Sequence, residues 1–221
     1  MAGSLGQMIL AAAVCPHPPM LVPEVAAGAA DDLAAVRQEC DAAVSSLVAR
    51  APDRIIVLGS GDLTGDRDES AGGTLAGFGV AVRAGGETDE LPLSLTIGAW
   101  LLDRAGWSGP RTYSTGIPDT AETVALLVMA DGSAKRTTTS PGFLDERAEG
   151  FDAVIASALA TGDPATLAGL DLALGAELWA AGTPALRTLG RMTKDADIIP
   201  HVRYDAAPFG VGYWVADWVI S

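Results

Sequence analysis

The sequence predicts an α/β fold: one domain with a central, mostly parallel β-sheet flanked by helices, and closing antiparallel strands at the C-terminus. Three observations carry this. Short runs of aliphatic residues alternate with segments of helical periodicity, the pattern of βα repetition. Those runs are apolar at successive positions rather than at every second one, as in strands covered on both faces. With 221 residues, 49% apolar and 19% charged, the chain can bury a full core, and neither a repeat nor a long linker divides 1–221.

Taken in order, Met8-Ile9-Leu10-Ala11-Ala12-Ala13-Val14 is the first buried strand. Over about 32–50, Leu33, Val36, Cys40, Val44, Leu47 and Val48 recur at three- and four-residue steps, which predicts an amphipathic helix. Asp31 and Asp32 suit its positive end, Arg50 suits its negative end, and Pro52 stops it. Arg54-Ile55-Ile56-Val57-Leu58 is a second buried strand, so strand, helix and strand form a βαβ unit with parallel strands. Residues 62–73 are polar and Gly-rich, a mobile loop by composition, and 74–83 is expected as a strand. A helix over 93–104 is closed by Gly106. Thr123-Val124-Ala125-Leu126-Leu127-Val128-Met129 is the third buried strand. Helical stretches follow near 145–160, 164–169 and 171–181. The tail, 198–220, is rich in β-branched and aromatic residues and broken at Ala207-Pro208, which predicts two final strands paired with each other.

Charge narrows the function. With Lys and Arg numbering 14 against 28 Asp and Glu, the net charge is −14, which argues against nucleic acid and against anionic membrane surfaces. No stretch reaches the roughly 18 apolar residues of a membrane span, and the N-terminus lacks the basic region of a signal peptide. Two cysteines, Cys15 and Cys40, make no disulfide framework, so reduced thiols and a cytoplasmic location are expected. Twelve Arg against two Lys, with abundant Ala, suggests a GC-rich bacterial genome. Five Trp, and the aromatic residues of the closing strands, offer more apolar surface than one sheet edge readily covers, which predicts a homodimer.

Ligands of open parallel sheets sit outside the carboxyl ends of the strands. Three polar loops fall there: His17 in Cys15-Pro16-His17-Pro18-Pro19, Asp62 in Gly59-Ser60-Gly61-Asp62, and Asp131-Gly132-Ser133. Each also has a plain structural reading. His17 suits a hydrogen-bonded loop residue, Asp62 a turn or helix cap, and Asp131-Gly132-Ser133 a tight turn. Glu177 suits a solvated helix position, Cys15 a buried thiol, and His201 a solvated strand face shared with Arg203. The glycine pairs match neither the dinucleotide fingerprint nor the phosphate loop, and Gly59-Ser60-Gly61 is not a nucleophile elbow. With only two histidines in the chain, any metal site must draw on carboxylate, thiolate or backbone as well.

Along most of its length the chain resembles the catalytic B subunit of class III extradiol ring-cleavage dioxygenases and the related Memo-like proteins, and most nearly an alanine-rich bacterial branch of that superfamily. The resemblance rests on Pro16-His17-Pro18-Pro19, on the strand and loop through Asp62, on Asp131-Gly132-Ser133-Ala134 with Pro141-Gly142, and on Pro208-Phe209-Gly210-Val211-Gly212-Tyr213. It implies a non-haem Fe(II) site of two histidines and a glutamate, with a further histidine as acid/base. Carried over, His17 is the first ligand, Asp62 stands where the second histidine belongs, and Glu177 matches the carboxylate. Ser133 matches the serine preceding the acid/base histidine, and Ala134 stands in place of that histidine. Ala134 cannot move a proton, and a positioned acid/base contributes about 10²- to 10⁴-fold. A His17, Asp62, Glu177 set would suit Fe(II) or a harder divalent cation.

Three functions follow from these residues. One is a divergent dioxygenase-like protein that has lost ring cleavage but keeps a pocket for a small aromatic or anionic ligand. Another is a working metal-dependent enzyme, dioxygenase or hydrolase, on His17, Asp62 and Glu177. The third is a protein-interaction module docking a partner in the old cleft.

Overall fold

The computed structural model describes residues 8–119 and 121–221. The expectation of one domain over 1–221 therefore includes residues 1–7 and Thr120, which lie outside the described residues. In chain order the elements are β1 (Met8–Cys15), α1 (Pro23–Ala26), α2 (Ala34–Val48), β2 (Arg54–Leu58), β3 (Arg67–Asp68), β4 (Gly72–Thr74), β5 (Arg83–Gly85) and α3 (Leu93–Arg104). They continue as β6 (Arg111–Ser114), β7 (Thr123–Met129), α4 (Arg147–Thr161), α5 (Pro164–Ala168), α6 (Leu172–Glu177), α7 (Thr183–Met192), β8 (Ile198–Ala206) and β9 (Tyr213–Ile220).

Among the described residues, seven strands make one sheet in the order β3-β6-β2-β7-β1-β9-β8. The inner strands β6, β2, β7 and β1 run parallel, while β3 and the closing pair β9 and β8 are antiparallel. The predicted α/β architecture is the observed one. β1 and β2 are parallel as expected, but β7 lies between them and pairs with both.

Alternation along each strand divides the core in two. Ala11, Ala13 and Cys15 of β1, with Leu127 and Met129 of β7, face α2 and α3. Ala12 and Val14, with Leu126 and Val128, face α4, α5 and α7. Both faces are covered, which is why these strands read as continuous apolar runs. From β1 the chain leaves toward α2 on one face, and from β7 it leaves toward α4 on the other. Adjacent strands whose connections depart to opposite faces define a switch point, the usual ligand crevice of such sheets.

Four stretches differ from expectation. Residues 74–83 do not form one strand: β4 and β5 make a two-stranded ribbon around a turn of 3₁₀ helix at Ala76–Phe78. Gly79 is one reason, since at φ 82° it takes the left-handed conformation that closes the 3₁₀ turn and interrupts an extended chain. Inside the stretch expected as a mobile loop, β3 pairs with β6, and Arg67 is anchored by Glu90 at 2.6 Å. Helix α7 was not expected; Thr183-Pro184 opens it, and Ala185, Leu186 and Leu189 supply its buried face. Asp31 and Asp32 lie in a 3₁₀ turn ahead of α2 and do not cap it.

The aromatics expected to drive dimerisation divide between core and surface: Trp179 and Phe209 are exposed, whereas those of the last strand are interior. Tyr213, Trp214 and Trp218 are buried, and Trp218 Nε1 donates to Leu159 O at 2.9 Å. Among the described residues no helix is long and apolar enough to cross a membrane.

Candidate functional site at the carboxyl edge of the sheet

Two of the three polar loops meet at the switch point. Pro16, Pro18 and Pro19 stiffen the chain after β1, and Leu21 N–H closes a turn on Pro18 O at 2.9 Å. His17 is held between these prolines at 6% exposure. Its backbone N–H donates to Asp131 Oδ1 at 2.7 Å, tying the β1 loop to the β7 loop across 114 residues of sequence. The imidazole Nδ1 is 3.7 Å from the same oxygen, within ion-pair range but beyond hydrogen-bond range. Nδ1 is buried and has no hydrogen-bond partner.

Asp131 was read from sequence as a turn residue; it is the bracket that positions His17. Its side chain is 14% exposed. Burial pushes its carboxyl above the usual carboxylate range, against the opposing pull of the nearby imidazole and the His17 N–H. Tyr213 lies across a bridge from Asp131, and its phenol is pushed up by burial first and by the Asp131 charge second. On the same face Cys15 and Cys40 are both buried free thiols. Burial raises Cys40 well above the ordinary thiol value, with Cys15 as the next cause.

Ser133 lies on the other face and is used differently. It is fully buried, its N–H donates to Asp152 Oδ1 at 2.8 Å, and its hydroxyl donates to Asp152 Oδ2 at 2.7 Å. Arg136 Nη1 adds a third bond to Oδ2 at 3.2 Å. Burial pushes the Asp152 carboxyl up, while Ser133 and Arg136 pull it down. Gly132 and Gly212 make room for this carboxylate: a Cβ at either would come within 2.8 Å of an Asp152 oxygen. Ala134 follows as a nearly buried apolar residue, its N–H bonded to Leu178 O at 3.0 Å.

The remaining predicted site residues are not brought to this place. Asp62 is exposed on a bend after β2. Glu177 is exposed at the end of α6, where its Oε2 accepts from Arg147 Nη1 at 2.7 Å. Among the described residues no three His, Cys, Asp or Glu side chains are grouped as metal ligands, so His17, Asp62 and Glu177 do not fit a facial iron site. His201 is exposed on β8, 3.4 Å from Asp217, to which Arg203 also bonds. That is the solvated strand face expected from its alternation with Arg203.

A cavity of about 240 Å³ opens beside Ser133, bounded by Arg136, Glu149, Asp152, Asp205, Gly212 and Trp214. Its charged walls, Arg136, Glu149, Asp152 and Asp205, went unseen in the sequence. Asp152 sits on the apolar stripe of α4 between Phe151 and Ile155, and a carboxylate on that stripe was the available signal. Arg136 had none beyond its closeness to Ser133. No family model matches the chain, and no curated protein matches it.

Proposed function

We propose that the chain is a divergent, bacterial, cytoplasmic relative of the class III extradiol dioxygenases that binds a small hydroxylated aromatic ligand without cleaving its ring. The observation that carries this reading is the cavity beside Ser133. It lies at the carboxyl edge of the sheet, with Trp214 as an aromatic wall, Arg136 as a cation and the carboxylates of Glu149 and Asp205 as acceptors for ligand hydroxyls. The positions needed for ring cleavage serve other ends. Glu177 holds Arg147, Ser133 holds Asp152, and Ala134 carries no proton.

Equilibrium dialysis of protocatechuate under anaerobic conditions tests the pocket. Wild type is expected to bind, and Arg136→Gln to bind about tenfold or more weakly, as for the loss of a charge-assisted hydrogen bond. Absence of binding at about 10 mM ligand, weaker than almost any specific site, would sink it.

The buried, unpartnered Nδ1 of His17 favours a second reading, a metal-dependent enzyme holding Fe(II) or a harder divalent cation. Here Asp131, beside His17, takes the place assigned to Asp62. A neutral imidazole is required for such binding, so affinity should fall as pH drops. Calorimetric titration with Mn²⁺, Fe²⁺ and Zn²⁺ decides it: no heat with any of them removes this reading, and so does equal affinity in His17→Ala. A homodimer has as its support the exposed Trp179 and Phe209 and the outer edge strand β8, where Ile199 is 69% exposed.

A further inference from the structure

A second cleft lies on the opposite wing of the sheet, between α7 and the loop that follows β6. Its volume is about 370 Å³, and Arg187 and Arg191 line it with Ile117, Leu172 and Pro184. The two arginines stand four residues apart on one helix, so they share a face.

Most arginines of this chain are paired with carboxylates. Arg54, Arg67, Arg83, Arg104, Arg111 and Arg147 each hold a carboxylate at 2.6 to 2.9 Å. With acidic residues outnumbering basic ones 28 to 14, carboxylates are abundant. Yet among the described residues neither Arg187 nor Arg191 takes part in any of the ion pairs formed, and the Arg187 Nε is buried without a hydrogen-bond partner. A buried guanidinium N–H left unpaired is unfavourable, because the hydration it gave up is not replaced. A fold with so many carboxylates to spare therefore leaves two cations open on one face of one cleft.

The neighbouring hydroxyls do not complete the site. Thr188 Oγ1 donates to Pro184 O at 3.1 Å and Thr115 Oγ1 to Leu63 O at 3.4 Å, so both protons are already used. Gly116 N–H is likewise taken by Ser114 Oγ at 3.0 Å. The donors that remain are the two guanidinium groups, whose planar forks match the oxygens of a carboxylate or phosphate. Ile117 and Leu172, both exposed, supply apolar walls beside them.

We propose that this cleft binds an organic oxyanion, a carboxylate or phosphate carried on an apolar body, with Arg187 and Arg191 gripping the charged end and Ile117 and Leu172 covering the rest. The site shares no lining residue with the cavity beside Ser133, and its ligand is independent of the function proposed there.

The test is calorimetric titration of the full chain with three probes: benzoate, phenyl phosphate and inorganic phosphate. Binding of benzoate or phenyl phosphate is expected, and whichever binds tighter names the charged group. Arg191→Gln, an exposed substitution, should weaken that probe about tenfold or more, as should Arg187→Lys, which keeps the charge but loses the fork. Leu172→Ala, also exposed, should weaken it by less, because it trims the apolar wall and leaves both guanidinium groups in place. His17→Ala and Arg136→Gln should leave it unchanged. In NMR spectra the Arg187 Nε–H resonance should move on titration in wild type. Three results would overturn the proposal: neither organic probe binding below about 10 mM, unchanged affinity in a folded Arg191→Gln protein with an unmoved Arg187 signal, or inorganic phosphate binding as tightly as phenyl phosphate.

Discussion

The two polar assemblies at the carboxyl edge are built from the same kinds of residue and end in opposite states. On the α4 face, Asp152 accepts from Ser133 N–H, from Ser133 Oγ and from Arg136, so both its oxygens are engaged. On the α2 face, Asp131 accepts one backbone N–H from His17, and the imidazole beside it keeps a buried nitrogen with no partner. A saturated network fixes the chain and the wall of the cavity beside it; an unsaturated one retains capacity for a proton or a cation. The pair lies where the connections of β1 and β7 part to opposite faces, the place where open α/β sheets bind ligands.

The largest expected effect separates the two directly. Asp152→Ala leaves the Ser133 donors and the Arg136 cation without their shared acceptor, and should destabilise the fold by about 3–5 kcal/mol, the range for breaking a buried charged pair. His17→Ala removes a buried ring but keeps the backbone bond to Asp131, and should lose about 1–2 kcal/mol. Urea denaturation of both variants checks the order. If His17→Ala were the more damaging, His17 would be the structural anchor and the contrast would reverse.

A pH series sharpens the contrast. Burial holds the Asp131 carboxyl above its usual range. Its native state therefore binds the proton more tightly than the unfolded chain does, and this contribution to stability is lost as pH rises from about 4, the unfolded value, through the folded value. Asp131→Asn cannot ionise, yet still offers an oxygen to His17 N–H. Relative to wild type, its stability should climb as pH rises above about 4. A deficit that instead widens with pH would mean that the ionised carboxylate is the stabilising form.

The smallest effect belongs to Glu177. Its partner Arg147 is exposed and also bonds Asp145, so Glu177→Gln should leave the urea midpoint unchanged. A clear loss of stability, or of any bound metal, would return Glu177 to the site.

The strands were legible because burial on both faces writes itself as unbroken apolar runs, as in Thr123–Met129. From those runs followed the convergence of His17 with the Asp131 loop, since parallel strands end on one edge. What the sequence concealed were contacts between loops and distant helices. Asp152 is 19 residues from Ser133, and nothing local distinguishes it from other helical carboxylates except its place on an apolar stripe. Glu177 resembled a ligand by position, but α6 ends where Arg147 captures it. Helix α7 was missed although its buried face, Ala185, Leu186 and Leu189, follows helical spacing.

The proposed loss of ring cleavage is tested most directly with an oxygen electrode. The protein is loaded anaerobically with Fe²⁺, then mixed with protocatechuate or catechol in air-saturated buffer. No oxygen uptake above the iron-only background is expected, because Ala134 supplies no acid/base and Glu177 is committed to Arg147. Turnover at about 1 s⁻¹ or faster, within the ordinary enzyme range, abolished in His17→Ala, would contradict it.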